Sequence, residues 1–364
     1  MIKPLTSIRF FFAFMVFASH LDFLQNSNSK ILHWIYNYIF QEGYIGVSFF
    51  FILSGFILAY NYQDDLINKR RSKRLFYIAR FARVYPLHLL TFFISIPLTY
   101  LQFFKDKSLW FMQAITNITL TQSFIPLDSF YFTFNYLSWS ISNEIFFYAA
   151  FPVLILLLTR LKKYRILTIL IILSIIPILA MIAPSSWYHP IFYINPFIRV
   201  IDFIIGILLF NAYKKILNRE FKINYNWVEF SAILLLIIFF VFHQQIPQVA
   251  RYSFYYWIPM SYLIFSFSFQ KGIISRFLSH KTFIYLGEIS FGFYMFHQIV
   301  LRYLSLLNSK ILHMNYGIYF TLIAFIVSLI ISHYSFGWFE TPVNKYINKK
   351  FKKIYSRENL QKVA

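Results

Sequence analysis

Three ionisable side chains lie within long apolar stretches of this chain. Arg9 and His20 fall eleven residues apart in the first stretch, and Glu144 ends the motif WSISNE in a later one. A lipid bilayer disfavours ionisable groups, so those that persist in a spanning helix indicate function by default. A histidine together with a carboxylate can carry out general acid–base chemistry. We therefore predict a reaction site within a membrane, with His20 and Glu144 as its candidate catalytic residues; taken alone, His20 is equally compatible with a hydrogen-bonded packing role.

The composition is that of a membrane protein. Of the 364 residues, 59% are hydrophobic and 13% are charged, whereas a soluble domain carries about 25% charged residues. Each apolar stretch is about long enough to cross a ~30 Å hydrocarbon core as a helix. We predict an all-α integral membrane bundle of ten transmembrane helices, at residues 4–24, 43–62, 84–103, 136–159, 166–183, 192–213, 227–243, 252–269, 284–305 and 316–338.

The basic residues predict the topology of this bundle. With the N-terminus inside, twenty-four Lys and Arg residues fall on one side and five on the other. Basic loops remain in the cytoplasm, so both termini are predicted to be cytoplasmic. Residues 1–344 then form the transmembrane domain and residues 345–364 a basic, solvated tail. The net charge of +21 is explained by topology and attraction to anionic lipid, so we expect no nucleic-acid partner.

A second group of charges lies towards the cytoplasm. Arg80 and Arg83 are three residues apart and therefore share a helix face, and Arg9 lies ~6 Å from the inner boundary. Guanidinium groups bind phosphate through paired hydrogen bonds, which favours a binding site for a phosphate-bearing donor. Plainer interpretations are that Arg80 and Arg83 are flanking charges and that Arg9 snorkels to the headgroups.

Helix geometry puts His20, Glu144 and His297 at similar depths, about 22, 18 and 20 Å from the inner boundary. A packing role for His297 is equally compatible with its position. Arg199 and Asp202, three residues apart, favour an internal ion pair over a site. The outer stretch 104–135 contains apolar runs that predict an interfacial or re-entrant helix.

Several other kinds of chemistry are excluded by missing motifs. The chain has no cysteine, hence no thiolate nucleophile or thiolate metal site. It has no Gly-x-Ser-x-Gly elbow, no Walker loop and no His-Glu-x-x-His pair. We expect no metal and no permanently bound cofactor.

Six motifs, in order along nearly the whole chain, resemble the acyltransferase 3 family of polytopic membrane acyltransferases. They are LTSIR at 5–9 followed by His20, GVSFFFILSGF at 46–56, RFARVYP at 80–86, WSISNE at 139–144, LGEISFGFYMFH at 286–297 and FETP at 339–342. Two features depart from the family pattern. Residues 10–12 are phenylalanines where small residues are frequent, and Asn143 stands where an apolar residue is common.

The resemblance implies transfer of an acyl group, commonly acetyl, from cytoplasmic acyl-CoA to a hydroxyl of an envelope glycan or glycolipid on the outer side. By the same match His20 is the catalytic histidine, Glu144 the acidic residue, and Arg80 and Arg83 the pair linked to the donor, with Arg9 beside them. The expected setting is the lipid bilayer of a bacterial cell membrane.

Direct transfer is the mechanism we predict. Neutral His20 removes the proton of the acceptor hydroxyl, which is worth ~10²–10⁴-fold in rate, while a carboxylate such as Glu144 fixes the histidine tautomer and stabilises the imidazolium. Ser140, Ser142 and Asn143 are candidate oxyanion donors. The sequence leaves open whether an acyl-histidine forms and how long the acyl group is.

Two other functional classes stay open at this point. A glycan or lipid transporter also carries intramembrane charges along its substrate pathway, although transporters often show internal repeats, which are absent here. A catalytically inactive membrane scaffold is the other alternative, for which an intact His20 and Glu144 are unexpected.

Overall fold

The structure is a computed structural model that describes residues 2–161, 165–217, 223–312 and 316–361. Within these ranges the chain is helical and contains no β-strand. The α-helices are α1 (Lys3–Ser19), α2 (Lys30–Ile35), α3 (Gly46–Ile67), α4 (Lys73–Ser95), α5 (Tyr100–Lys105), α6 (Lys107–Ile118), α7 (Asp128–Tyr131), α8 (Ser138–Arg160), α9 (Arg165–Ile182), α10 (Pro196–Leu217), α11 (Tyr225–Val241), α12 (Gln248–Arg251), α13 (Trp257–Ser268), α14 (Ile273–Leu278), α15 (Lys281–Leu307), α16 (Ile318–Ser335) and α17 (Thr341–Gln361). Parts of the predicted cytoplasmic loops and tail, at 162–164, 218–222 and 362–364, lie outside the described residues.

The predicted all-α fold is confirmed. A helix occupies each of the ten predicted stretches, namely α1, α3, α4, α8, α9, α10, α11, α13, α15 and α16. Five helical segments are long and apolar enough to cross a membrane: Lys30–Ile67, Lys73–Lys105, Ser138–Arg160, Pro196–Leu217 and Ile318–Tyr355. Shorter apolar helices, among them Tyr225–Val241, complete a bundle typical of a multi-pass membrane protein.

Several predicted helix ends are wrong by more than a turn, and two of them bear on the candidate site. α1 ends at Ser19 rather than at 24, so His20 is its C-terminal cap. α4 begins at Lys73 rather than at 84, and Arg80 and Arg83 lie inside it. The apolar stretch stops at these arginines, but the helical backbone continues past them. Their side chains line cavities.

Two segments outside the ten stretches are also helical. α6 confirms the helix predicted within 104–135, and it begins where the Asp106 carboxylate accepts the Leu109 N–H at 2.9 Å, a typical N-terminal cap. The basic segment predicted as a tail from Lys345 is helical as far as Gln361, as part of α17, and α17 contacts α4.

The most extensive helix pairing, between α3 and α10, includes two glycines. A Cβ atom at Gly206 would collide with the backbone carbonyl of Ile52, and one at Gly55 would collide with that of Phe203. Small residues let helix backbones approach closely within membranes, where van der Waals packing replaces the hydrophobic effect as the driving force. Both glycines are therefore required by the contact itself.

A fully buried ion pair lies near this contact, as the three-residue spacing predicts. Arg199 and Asp202 in α10 are 2.9 Å apart, and their side chains are 0% and 1% exposed. The Arg199 guanidinium also donates to the Tyr252 carbonyl at 2.5 Å and to the Ser48 hydroxyl at 2.7 Å, and the Trp257 indole donates to Asp202. The pair ties α10 to α3 and α13.

The glycine contact predicts a large effect of a small substitution. Gly206→Val should lower the melting temperature of the detergent-purified protein, because overpacking a tight site costs about 1–3 kcal/mol. Gly317→Val is the matched control, since a Cβ there meets nothing within 4 Å. Equal melting temperatures for the two variants would contradict this account of α3–α10 packing.

Candidate active site

His20 and His297 come together from two contacting helices, α1 and α15. Nε2 of His297 lies 3.4 Å from Nδ1 of His20, and the ring centroids are 5.3 Å apart. His297 is 0% exposed. The similar depth predicted for these two side chains thus corresponds to direct proximity. Among the described residues, no group of three His, Asp or Glu side chains is placed to hold a metal ion.

Backbone carbonyls determine which ring nitrogens carry protons. Nδ1 of His20 lies 2.7 Å from the Val16 carbonyl oxygen, and Nδ1 of His297 lies 3.1 Å from that of Phe293. A carbonyl only accepts hydrogen bonds, so each Nδ1 donates. Nε2 of neutral His297 then accepts from His20, whose Nδ1–H is shared between two acceptors. The remaining nitrogen, Nε2 of His20, keeps its lone pair and can act as a base.

Glu144 lies with the arginines and not with His20. Its carboxylate accepts a hydrogen bond from the Tyr148 hydroxyl at 2.7 Å, and the cations that act on it electrostatically are Arg9, Arg80 and Arg83. The predicted contact that would let Glu144 fix the tautomer of His20 is not among the hydrogen bonds of the described residues. The Val16 carbonyl fulfils that role instead, and a catalytic role for Glu144 stays a prediction.

Arg9, Arg80 and Arg83, the cavity arginines, line one internal cavity of about 160 Å³ together with Glu144. Arg80 donates from Nη2 to the Tyr62 hydroxyl at 2.9 Å. The sequence spacing that placed Arg80 and Arg83 on one helix face is thereby confirmed, and Arg9 joins them from α1. Three cations against one carboxylate leave this cavity with a positive charge suited to an anionic ligand.

Arg83 has a carboxylate partner of its own. Its Nη1 atom lies 4.0 Å from Glu340, whose side chain is only 3% exposed, and the Ser335 hydroxyl donates to the same carboxylate at 3.3 Å. Glu340 belongs to the FETP motif between α16 and α17. One of the three positive charges is thus held in place by a buried negative charge.

The rest of the cavity wall is mostly apolar and ends near the histidines. Its apolar lining residues are Val47, Phe50, Phe51, Leu53, Ile57, Leu58, Val84, Ile141 and Phe291. Tyr294 also lines it, and the Tyr294 ring lies 6.0 Å from the ring of His297. His20 itself is not a lining residue, and Tyr294 is the lining residue whose ring lies beside His297.

Of the three candidate oxyanion donors, Ser140 is the one that lines the cavity. Its hydroxyl pairs with the Tyr294 hydroxyl and donates to the Leu137 carbonyl, both at 2.8 Å. Ser142 donates to the Leu120 carbonyl at 2.6 Å, and the Asn143 amide donates to a backbone carbonyl of the loop before α10 at 2.8 Å. Ser142 and Asn143 therefore hold the fold together.

Sequence reasoning did not assign roles to the tyrosines of this site. Tyr148 follows Glu144 by four residues, which places the two side chains on one helix face, and this spacing is the signal that could have found it. Tyr294 precedes His297 by three residues in the same way. Tyr62 carries no such signal, because its partner Arg80 comes from another helix.

Comparison with known proteins gives consistent results. A family model described as an acyltransferase domain, that of acyltransferase 3, matches residues 4–335. Acyltransferase MdmB of Streptomyces mycarofaciens is 29% identical over 325 residues, which cover 83% of this chain and 79% of that protein. O-acetyltransferase OatA of Staphylococcus aureus is 24% identical over 329 residues, 85% of this chain but only 54% of that protein. No solved structure matches the chain.

The tautomer of His20 can be observed directly. In protein labelled with ¹⁵N-histidine at neutral pH, the His20 Nδ1 signal should have the shift of a protonated nitrogen and the Nε2 signal that of an unprotonated one, because the Val16 carbonyl accepts only from Nδ1–H. Loss of the signals in His20→Gln gives the assignment among the nine histidines. His297→Gln should leave the tautomer unchanged. A proton on Nε2 of His20 would refute the assignment of the base.

Proposed function

This chain belongs to the acyltransferase 3 family, and on that basis we propose that it moves an acyl group, commonly acetyl, from cytoplasmic acyl-CoA to a hydroxyl of an envelope polysaccharide or glycolipid on the outer side of the cell membrane. The family and the named activities of its relatives make the protein an acyltransferase of the membrane O-acyltransferase kind. They give no support to the transporter and inactive-scaffold alternatives. Acetyl as the acyl group is favoured by the name of the Staphylococcus relative.

One observation carries this proposal: the cavity arginines surround a narrow cavity whose Tyr294 wall adjoins the histidine pair. Guanidinium groups bind phosphate strongly and in fixed geometry, and acyl-CoA has phosphates at one end and a thioester at the other. With the phosphates near Arg80 and Arg83, the slender arm follows the apolar wall and brings the thioester towards His20.

The direction of transfer is supported by charge. The basic loops favour a cytoplasmic position for the arginine end of the bundle. Because α1 begins at Lys3 and ends at Ser19, its far end carries His20 towards the opposite side. A donor supplied from the cytoplasm and an acceptor approaching from outside then meet at the histidine pair.

His20 takes up a proton at the start of the reaction and returns it at the end. Nε2 of His20 takes the proton of the acceptor hydroxyl as its oxygen bonds to the thioester carbonyl carbon. The tetrahedral intermediate collapses, the carbon–sulfur bond breaks, and the thiolate recovers the proton from the imidazolium to leave as free CoA. The Val16 carbonyl and Nε2 of His297 hold the Nδ1–H throughout, so the ring keeps its orientation.

The base is tested by two substitutions. His20→Ala and His20→Gln should each lower the acylation rate by at least about 100-fold, the usual minimum worth of a general base, because glutamine keeps a hydrogen-bonding group but accepts no proton near neutral pH. Glu144→Gln leaves the base in place and should cost less. The measurement is acylation of envelope glycans by mass spectrometry, with exposed His33→Gln as control. Near-normal activity of His20→Gln would refute the mechanism.

The donor site is tested by calorimetry with purified protein. Arg80→Ala and Arg83→Ala should each weaken binding of acyl-CoA by about tenfold to a hundredfold, since a charge-assisted hydrogen bond contributes about 1.5–3 kcal/mol. Glu340→Gln keeps all cavity arginines and should bind at least as tightly as wild type. Arg276→Ala, an exposed arginine that does not line this cavity, is the control. Unchanged affinity in both cavity variants would overturn the donor assignment.

A further inference from the structure

A broad basic groove lies next to the narrow cavity. It has a volume of about 790 Å³ and runs between the turn at 69–72, the first half of α4 and the helix α17. Its lining includes six cationic side chains and no carboxylate. These cations are Lys69, Arg70, Arg71, Arg80, Arg83 and Lys352. A lining whose charged side chains are all positive attracts anions from solution.

Nearby carboxylates interact with several of these cations. Asp65 lies 3.4 Å from Nε of Arg70 and 3.8 Å from Nε of Arg71, and the side chains of both pairs are exposed. Exposed pairs of this kind are weak. Glu340 is the partner of Arg83, and Glu144 acts on both Arg80 and Arg83.

The aromatic ring of Tyr62 lies among these cations. The guanidinium carbons of Arg71 and Arg80 lie 4.8 and 5.1 Å from the centre of the Tyr62 ring. Tyr62 also accepts the hydrogen bond from Arg80. Helix α17 forms another side of the groove and contributes the amide side chains of Asn344 and Asn348. Phosphate-binding cations and amide side chains are groups that recognise a nucleotide, and the Tyr62 ring holds the Arg71 and Arg80 guanidinium groups in the groove.

The groove and the narrow cavity share Arg80 and Arg83. Their shapes and linings differ, because the groove is wide and cationic while the cavity is small and mostly apolar. A third cavity of about 410 Å³ also reaches Arg9 and Arg83, but Glu288 lines it, which makes it less suitable for an anion. The groove therefore fits a ligand with a broad polyanionic head, and the cavity fits a thin apolar arm joined to that head.

We propose that the groove binds the nucleotide head of the acyl donor, with its 3′-phosphate and diphosphate on the basic side chains, and that α17 is thereby part of the donor site. This inference rests on the proposed function for the identity of the donor. It adds Lys69 from the turn and Lys352 from α17 to the arginines of α4. The segment that sequence analysis treated as a solvated tail then supplies one wall of a binding site.

The test uses the full chain in nanodiscs of neutral phosphatidylcholine and adenosine 3′,5′-bisphosphate as the probe. Lys352→Glu and Lys69→Glu, on opposite walls, should each weaken its binding by about tenfold or more, as expected for loss of a charge-assisted phosphate contact and its replacement by repulsion. Lys353→Glu makes the same charge change on the same helix at a position that does not line the groove, and it should bind like wild type. Wild-type affinity in both groove variants would overturn the proposal.

Two further measurements separate this proposal from its alternatives. Lys352→Glu should lower kcat/KM for acyl-CoA more than for acyl-pantetheine, which lacks the nucleotide; an equal loss for both donors would overturn the assignment. If acyl transfer fails with every donor while the probe still binds and responds to the groove variants, the proposed function falls and the groove assignment stands. Retention of phosphatidylglycerol is measured on the same variants in detergent. If the variants change this retention but not binding of the probe, the groove is a lipid site and the proposal is wrong.

Discussion

An apolar bundle can hold a charge only if a partner or a hydrated cavity compensates it, and this constraint divides the charged residues into two sets. Arg199 with Asp202 and Glu42 with Arg251 are paired, and in each pair at least one side chain is almost completely buried. These pairs fasten helices to one another. The cavity arginines are different, because they surround open space, and Arg83 is 30% exposed even though it has a carboxylate partner. Open space lined by cations is where a ligand can enter.

The central helix α3 connects the two sets. Its Ser48 hydroxyl accepts from buried Arg199, and Gly55 lies against the backbone of α10. Phe50 and Leu53, which lie between Ser48 and Gly55, form part of the cavity wall. Tyr62, near the end of the helix, lies in the basic groove. One helix thus anchors the bundle and forms one side of the whole path from groove to cavity. A shift of α3 along its axis would disturb packing and site together.

Sequence analysis predicted what depends on periodicity and depth, and it missed what depends on direction around a helix axis. The helices followed from apolar stretches and the Arg199–Asp202 pair from its spacing. Similar depths were predicted for His20 and His297, and the structure adds that the two side chains lie side by side. Depth alone also placed Glu144 beside His20, but α8 turns that carboxylate towards the arginines. The early start of α4 and the helical nature of α17 were missed because both segments are polar, and their neighbours became visible only in three dimensions.

The end of α1 has an electrostatic consequence for the base. Aligned peptide dipoles give a helix C-terminus a partial negative charge equivalent to about half an elementary charge, which stabilises a nearby cation by about 0.3–1 kcal/mol and by up to about 2 kcal/mol in partly buried sites. His20 caps this terminus, and its imidazole donates to Val16, one of the last carbonyl groups of the helix. In the proposed mechanism, the macrodipole of α1 therefore favours the imidazolium that forms when His20 takes a proton. The backbone supplies the negative potential that a carboxylate provides in a hydrolase triad.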